Sequence, residues 1–413
     1  MKNIRLVGSF IVGYMFIACS HLPVSKTQGA DNSRNNVNDT LPPPFATKSV
    51  RNSSKVIGWP NDATPKAPDG FAVSRFADNF SNPRWIYAAD NGDVFVAESG
   101  ANQVLLLRDK DKDGVAEDRY IFLEGLRRPL GMLIIGNKFY VANTNGLVEY
   151  PYDPAATSIS AEGKRIVDLP AGGYNNHWTR NIITNAEKNK IYITVGSGSN
   201  VAEHGIENEA RRANILEVNP DGSDEKIYAS GLRNPVGLDW APGTQTLWTA
   251  VNERDGLGDE LVPDYITSVK RGGFYGWPYS YFGQHEDPRR KGERPDLVAE
   301  SIVPDVPTGA HTASLGLAFY TRNNFPDKYR GGVFVGQHGS WNRSELAGYK
   351  VIFVPFKNGK PSGKPEDFLT GFIANPDKSE VYGRPVCVVV LADGSLLVSD
   401  DGDNIIWRVS YKK

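Results

Sequence analysis

One phrase recurs six times along this 413-residue chain, and no other feature narrows the fold as much. Each copy has a crossover carrying Arg/Asn-Pro or a similar turn, then an apolar run, a Gly-containing turn and a strand ending in a small or polar residue. The copies are Asn82-Pro83-Arg84 with Gly92 to Glu98, Arg128-Pro129-Leu130-Gly131 with Lys138 to Asn143, and His177-Trp178-Thr179-Arg180 with Lys190 to Gly196. The others are Arg233-Asn234-Pro235 with Thr246 to Asn252, His311-Thr312-Ala313-Ser314 with Gly332 to Gln337, and Arg384-Pro385 with Gly394 to Asp400. A repeat of roughly 45 to 55 residues holding several short strands cannot bury its apolar faces alone and must stack on its neighbours. This pattern predicts an all-β fold: a six-bladed β-propeller of four-stranded antiparallel blades over residues 61–413. The 42 Gly, 27 Pro and 18 Tyr agree, since turns and β-favouring aromatics outweigh helix formers. Phe71 to Phe76 resembles the strands that end other repeats. It is expected to form the outer strand of the last blade beside Ile405 to Val409, closing the ring and removing its exposed edges.

The N-terminus reads as an address. Lys2 and Arg5 precede an apolar run from Leu6 to Ala18, which is short for a membrane span and ends at Phe16-Ile17-Ala18-Cys19. This is similar to a bacterial lipoprotein signal over residues 1–18, with Cys19 as the lipidated first residue of the mature chain. Residues 19–60, rich in Asn, Ser, Thr and Pro, are then expected to be a flexible tether. The implied location is the bacterial cell envelope: a lipid anchor in the membrane, with the domain facing the periplasm or the exterior. Cys387, in an apolar run, reads as a buried small hydrophobe without a disulfide partner.

A net charge of −2, falling to −4 if Lys2 and Arg5 are removed with the signal, leaves no global field for nucleic acid. Charge is nevertheless patterned. In an antiparallel blade, the crossover into the inner strand and the loop between the second and third strands share one face. One mouth is therefore expected to collect Arg84, Arg128, His177, Arg180, Arg233, His311 and Arg384 from crossovers. The loops would add Glu98, Asn143, Ser197, Asn252, Glu253, His338, Trp341, Arg343, Asp400 and Asp401. Clustered guanidiniums need carboxylates or a bound polyanion to offset their repulsion.

Six segments carry a family resemblance: Asn176 to Asn181, Gly231 to Leu238, Val251 to Asp259, Gly272 to Pro278, Gln337 to Arg343 and Tyr382 to Pro385. Together they resemble the soluble pyrroloquinoline quinone (PQQ)-dependent glucose/sorbosone dehydrogenases, especially the sorbosone-dehydrogenase-like branch. The resemblance implies PQQ and calcium in the mouth and oxidation of an aldose or related carbonyl sugar, with electrons passed to an external quinone or cytochrome. It implies that His177 is the catalytic base and that Arg233 acts beside the quinone. Arg84, Arg233, Asn234, His338, Trp341, Arg343 and Arg384 would hold the cofactor. Carbonyls of Glu253 and Arg254 would meet a calcium, while Asp259, Glu260 and the Tyr275 carbonyl would serve a second. Ser197 stands where glucose-oxidising members have Asp, which argues against glucose. The lysine found near the cofactor in those members has no counterpart around His338.

Asp109-Lys110-Asp111-Lys112-Asp113-Gly114 opens like an EF-hand loop. Position 12 is Tyr120 and strand-like residues flank it, so a solvated turn is expected. Dinucleotide, serine-elbow, zinc and haem motifs are absent from the sequence. Two other functions fit a propeller. A calcium-dependent lactonase would ring an axial metal with Glu98, Asn143, Asn252 and Asp400, and a non-catalytic propeller would bind carbohydrate or peptide at its mouth.

Overall fold

Short β-branched and aromatic runs such as Val94–Glu98, Ile191–Val195 and Val333–Gln337 are buried along their whole length. That pattern belongs to strands covered on both faces by other sheets. The computed structural model describes Met1 and residues 41–412. Within them lie six sheets built on four antiparallel strands, and the one α-helix among the described residues is Pro295–Glu300. Each sheet takes four strands in chain order, beginning at Pro83–Ala88, Met132–Ile135, Ile182–Thr184, Asn234–Trp240, Ser314–Phe319 and Pro385–Val390. The sixth sheet recruits Phe71–Ala77, which pairs antiparallel with Ile405–Tyr411. In the third sheet, Gly273–Phe274, from the long insertion, adds a parallel fifth strand to Lys226–Ser230. Among the described residues no helix is long and apolar enough to cross a membrane.

The six starting strands lie side by side in succession, and the last touches the first. Glycine in the crossover phrase makes this approach possible. A Cβ on Gly237 would sit 2.5 Å from the Leu315 carbonyl oxygen of the next sheet, and one on Gly316 would sit 2.4 Å from that of Val386. Proline in the same phrase has no N–H for the ladder. The register breaks just after it, between Pro235 and Leu238 and between Pro385 and Val388. Aromatic and aliphatic side chains fill the space between sheets: Phe95 packs 4.8 Å from Phe122 and 4.9 Å from Phe139, centroid to centroid. Cys387 is buried and free, with burial pushing its thiol up to about 12, as suits an inert core residue.

The tether expectation is corrected over residues 41–60; Cys19 and the stretch before residue 41 lie outside the described residues. The Phe45 N–H donates to the Leu257 carbonyl and the Asp259 N–H to Thr47 Oγ1, while Asn52 bonds the 341–344 turn. Lys55–Val56 then adds a parallel strand to Glu380–Val381. Trp59 ends the run, buried against Phe372 and Trp407, with its N–H on Asp400 Oδ2 at 2.9 Å. Polar composition hid this strap because its order comes from backbone bonds, short polar side chains and a single aromatic anchor. Trp59→Phe, which keeps an aromatic ring and deletes the donor, should lower stability by about 1 kcal/mol in denaturant unfolding, the net worth of one hydrogen bond, because Asp400 Oδ2 keeps the Trp407 N–H at 3.2 Å.

Candidate active site

Three histidines sit at the mouth, and their hydrogen bonds place the protons differently in each: two neutral tautomers and one imidazolium. His177 is half-buried at the third crossover. Its Nδ1 lies 2.9 Å from the Ser197 carbonyl, which can only accept, so Nδ1 carries the hydrogen and Nε2 keeps a lone pair. Among the described residues Nε2 has no partner. Burial, then the Arg233 charge, pushes this imidazole down to about 3. His311 is buried with Nε2 2.9 Å from the Gly258 carbonyl and Nδ1 3.4 Å from Asp255 Oδ1. With an acceptor at each nitrogen it favours the imidazolium: burial opposes that charge, but Asp255 and the Gly258 carbonyl outweigh burial and raise its pKa. In His338, Nδ1 accepts from Arg384 at 3.0 Å and Nε2 donates to Asp401 at 2.7 Å. Both nitrogens are committed, and burial with the Arg384 charge pushes the ring down to about 4. Of these three, His177 alone offers a free nitrogen.

The arginines divide between two clusters. Arg233, 2% exposed, donates to Asp255 at 3.0 Å, to Asn200 Oδ1 at 2.8 Å and to the Glu253 carbonyl at 2.5 Å. Beside it Asn234 meets His177 across Gly196, where a Cβ would fall 2.3 Å from Asn234 Oδ1 and 2.6 Å from His177 Cβ. The second cluster is Arg84, His338, Arg384 and Asp401, with Arg84 2.5 Å from Asp401 Oδ2. Burial works against the Asp401 charge, but His338 and the two guanidiniums outweigh it and hold that carboxyl well below its usual range. Trp178, the neighbour of His177, joins the clusters: Arg128 lies 4.0 Å and Arg84 5.6 Å from its ring centroid. Arg343 lies apart, bonded to Glu260 at 2.7 Å, and Trp341 stands 44% exposed on the rim beneath Arg51.

Several expectations change. Arg180 does not face the mouth. It is fully buried and donates to the carbonyls of His177, Thr179 and Pro170, which makes it a prop for the His177 turn. The Arg254 side chain is likewise enclosed, paired with Glu253 at 3.0 Å and Asp287 at 3.2 Å. Of the residues expected to serve calcium, four have these protein partners. The Glu253 carbonyl faces a guanidinium, Asp259 accepts from Ser344, Glu260 pairs with Arg343, and Tyr275 is packed against the third sheet through its N–H to Ser230. The carboxylates that converge among the described residues are Asp109, Asp111, Asp113 and Glu117, in the loop expected to be a solvated turn. Their oxygens accept N–H groups of Gly114, Asp113, Val115 and Lys110, while the buried Asp109 Oδ1 is left without a partner.

The axial residues of the lactonase alternative also have protein partners. Glu98 accepts from Ser81 and Gln103, Asn143 from Arg127, and Asp400 from Arg384 N and Trp59, while Asn252 donates to Ser314. Sequence reading placed Asp401 at the mouth and left Asp255 and Trp178 inside the motif segments without a role; only folding shows which arginine each one serves.

The neutral forms of His177 and His338 link pH to stability. Unfolded, both rings take protons as pH falls below about 6.5; folded, they resist down to about 3 and about 4. Their contribution is complete above pH 6.5 and drains as pH falls, whereas that of His311 is present in acid and lost above its raised pKa. Between about pH 7 and about pH 4.5 the unfolding free energy should fall by about 2 kcal/mol, discounted for partial solvent screening. His177→Asn should flatten that slope in denaturant titrations.

The fold and mouth define a class: an all-β, propeller-like protein whose cationic opening frames one imidazole with a free nitrogen. The TrAA12-like family model matches residues 65–266 and 291–412, and the chain belongs to that family. An uncharacterized protein of Borreliella burgdorferi is 31% identical over 366 residues, covering 85% of this chain and 92% of that one. The pyrroloquinoline quinone-dependent pyranose dehydrogenase of Coprinopsis cinerea is 23% identical over 421 residues, covering 86% of this chain but 56% of that longer protein. The structure of that enzyme's PQQ domain in its holo form superposes with a TM-score of 0.71 at 18% identity, over 87% of this chain and all of that one.

Proposed function

We propose that this protein is an exported PQQ-dependent dehydrogenase that oxidises an aldose or related, sorbosone-like carbonyl sugar, on a closed six-bladed propeller. The observation that carries the reading is His177, a neutral imidazole with its free Nε2 set beside two guanidinium clusters. The mouth fits a tricarboxylate quinone by its donor chemistry. Arg84 and Arg384 present cationic donors and Arg128 has no carboxylate partner among the described residues, while the buried Arg84 Nε and Asn234 Oδ1 lack any partner. When bound, PQQ supplies the acceptor for the two electrons removed from the sugar carbon.

The chain's own residues handle position and protons. Arg84, Arg128 and Arg384 bind carboxylates, and Arg233 and Asn234 orient groups beside His177. His177 Nε2 accepts the proton of the reacting hydroxyl, while Ser197 holds the other nitrogen in the required tautomer and Arg180 fixes the turn behind it. The low basicity of His177 comes from burial and Arg233, and an anion bound beside it would raise it toward the working range. A calcium at the Glu253 carbonyl would share that oxygen with the Arg233 guanidinium, and no step is assigned to it. Lipidation at Cys19 would place the enzyme on an envelope membrane, with a membrane quinone or a cytochrome as the electron acceptor.

The test is to incubate purified protein with PQQ, with and without calcium, and follow dye reduction across a panel of aldoses and ketoaldoses beside lactone hydrolysis. Sugar-dependent reduction that requires PQQ is the expected result. Lactone hydrolysis without PQQ would replace this reading with the hydrolase.

A further inference from the structure

Two loops of the third sheet enclose a cleft beside His177 that the proposed chemistry leaves unused. One is the crossover before Ile182–Thr184. The other is the excursion between Ile191–Val195 and Asn214–Val218. The cleft has a volume of about 360 Å³, near the lower end for small-ligand sites and suited to one ring of a ligand rather than a large one. Tyr174 and His204 form an aromatic pair on its wall, centroids 4.4 Å apart, and Tyr174 is 56% exposed although it is large and flat. Asn208, which also lines it, donates to the His204 carbonyl at 2.6 Å. The floor is open at Gly172 and Gly173, where an added Cβ would meet nothing. Arg212 donates to Asn175 Oδ1 at 2.6 Å and to the Gly172 carbonyl at 3.2 Å, so the crossover wall is tied down.

The inner wall connects directly to the catalytic imidazole. Glu209, 7% exposed, accepts from the N–H groups of Gly198 at 2.6 Å and Ser199 at 2.9 Å, and from the Ser199 hydroxyl. The Ser199 carbonyl in turn accepts from Ser197 Oγ at 2.6 Å, and Ser197 holds His177 Nδ1. One short run of chain, residues 197–199, therefore forms both the support of the base and the back of the cleft.

The chemistry of the walls selects a ligand class. No lysine or arginine lines the cleft and Glu209 is acidic, so an anion is disfavoured. The Glu209 oxygens are already filled by three donors, which leaves little pull on a cation. What remains is an aromatic platform edged by polar groups, which suits a neutral ring with C–H faces and hydroxyl edges. We propose that the cleft is a second sugar subsite, holding the non-reacting ring of a disaccharide or longer glycoside whose reacting ring lies at His177. The location of the reacting ring rests on the dehydrogenase reading; binding in the cleft does not.

The experiment separates the two. Calorimetry on PQQ-free protein compares maltose, cellobiose and lactose with glucose and galactose, in the parent, Tyr174→Ala and Tyr174→Trp. The parent should bind at least one disaccharide about tenfold more tightly than its monosaccharides. Tyr174→Ala should erase that advantage, and Tyr174→Trp should keep it. With PQQ-loaded protein, the disaccharide-to-monosaccharide ratio of kcat/KM should fall about tenfold in Tyr174→Ala. No disaccharide advantage in the parent, or an advantage that survives Tyr174→Ala, overturns the subsite. Tyr174-dependent binding without any sugar-driven reduction upholds the subsite and overturns the dehydrogenase reading instead.

Discussion

Replacing His177 with asparagine lowers the rate at which sugar reduces bound PQQ by about 10² to 10⁴, the range expected on losing a positioned base. The expectation follows from where the protons sit on the three histidines at the mouth. His311 has acceptors at both nitrogens and His338 has both nitrogens committed, so neither can take over the role. Asparagine keeps a donor for the Ser197 carbonyl and nearly the same bulk, so the turn held by Arg180 should persist. The loss should fall on kcat rather than on PQQ affinity, because the cofactor's charge is met by arginines in the other cluster. Rapid mixing with the best sugar of the panel reads that step without an external acceptor. Parent-like rates in the variant would make His177 a structural residue.

The second large effect is on binding. Arg384→Ala should weaken PQQ affinity by about 2–5 kcal/mol, the cost of removing one partner of a desolvated charge pair. Arg384 is the guanidinium in its cluster whose side-chain contacts are a histidine nitrogen and a carbonyl rather than a carboxylate. Arg84, by contrast, is already offset by Asp401. The Arg384 charge is therefore the one of the cluster most available to an anion. Arg384→Lys should recover only part of the loss, because an ammonium cannot reproduce the planar fork. Equilibrium dialysis with PQQ checks both variants, and parent-like affinity in Arg384→Ala would remove this residue from the site.

The repeats made the sheet plan legible because each strand start carries residues that the packing demands. Gly237 and Gly316 are needed where successive strands nearly touch, and Pro235 and Pro385 where the ladder breaks. The same positions brought His177, Arg84, Arg233 and Arg384 to one mouth. Charge pairing was not legible. Arg180 and Arg254 sit in motif segments as plainly as Arg233 does, yet one is spent on carbonyls and the other on buried carboxylates. A sequence shows which charges are near the mouth but not which are already neutralised. The strap over residues 41–60 was misread for a related reason. Its anchors are backbone N–H groups, the short polar side chains of Thr47 and Asn52 and one tryptophan, which a polar composition does not set apart from a tether.

The most direct test of the account is the absorption spectrum of protein loaded with PQQ and freed of excess by gel filtration, recorded without oxygen before and after addition of sugar. The account predicts that PQQ stays with the protein at one equivalent and is fully reduced by at least one aldose or ketoaldose. PQQ that elutes entirely in the free fraction, with or without calcium, or a bound quinone left oxidised by every sugar in the panel, would contradict it.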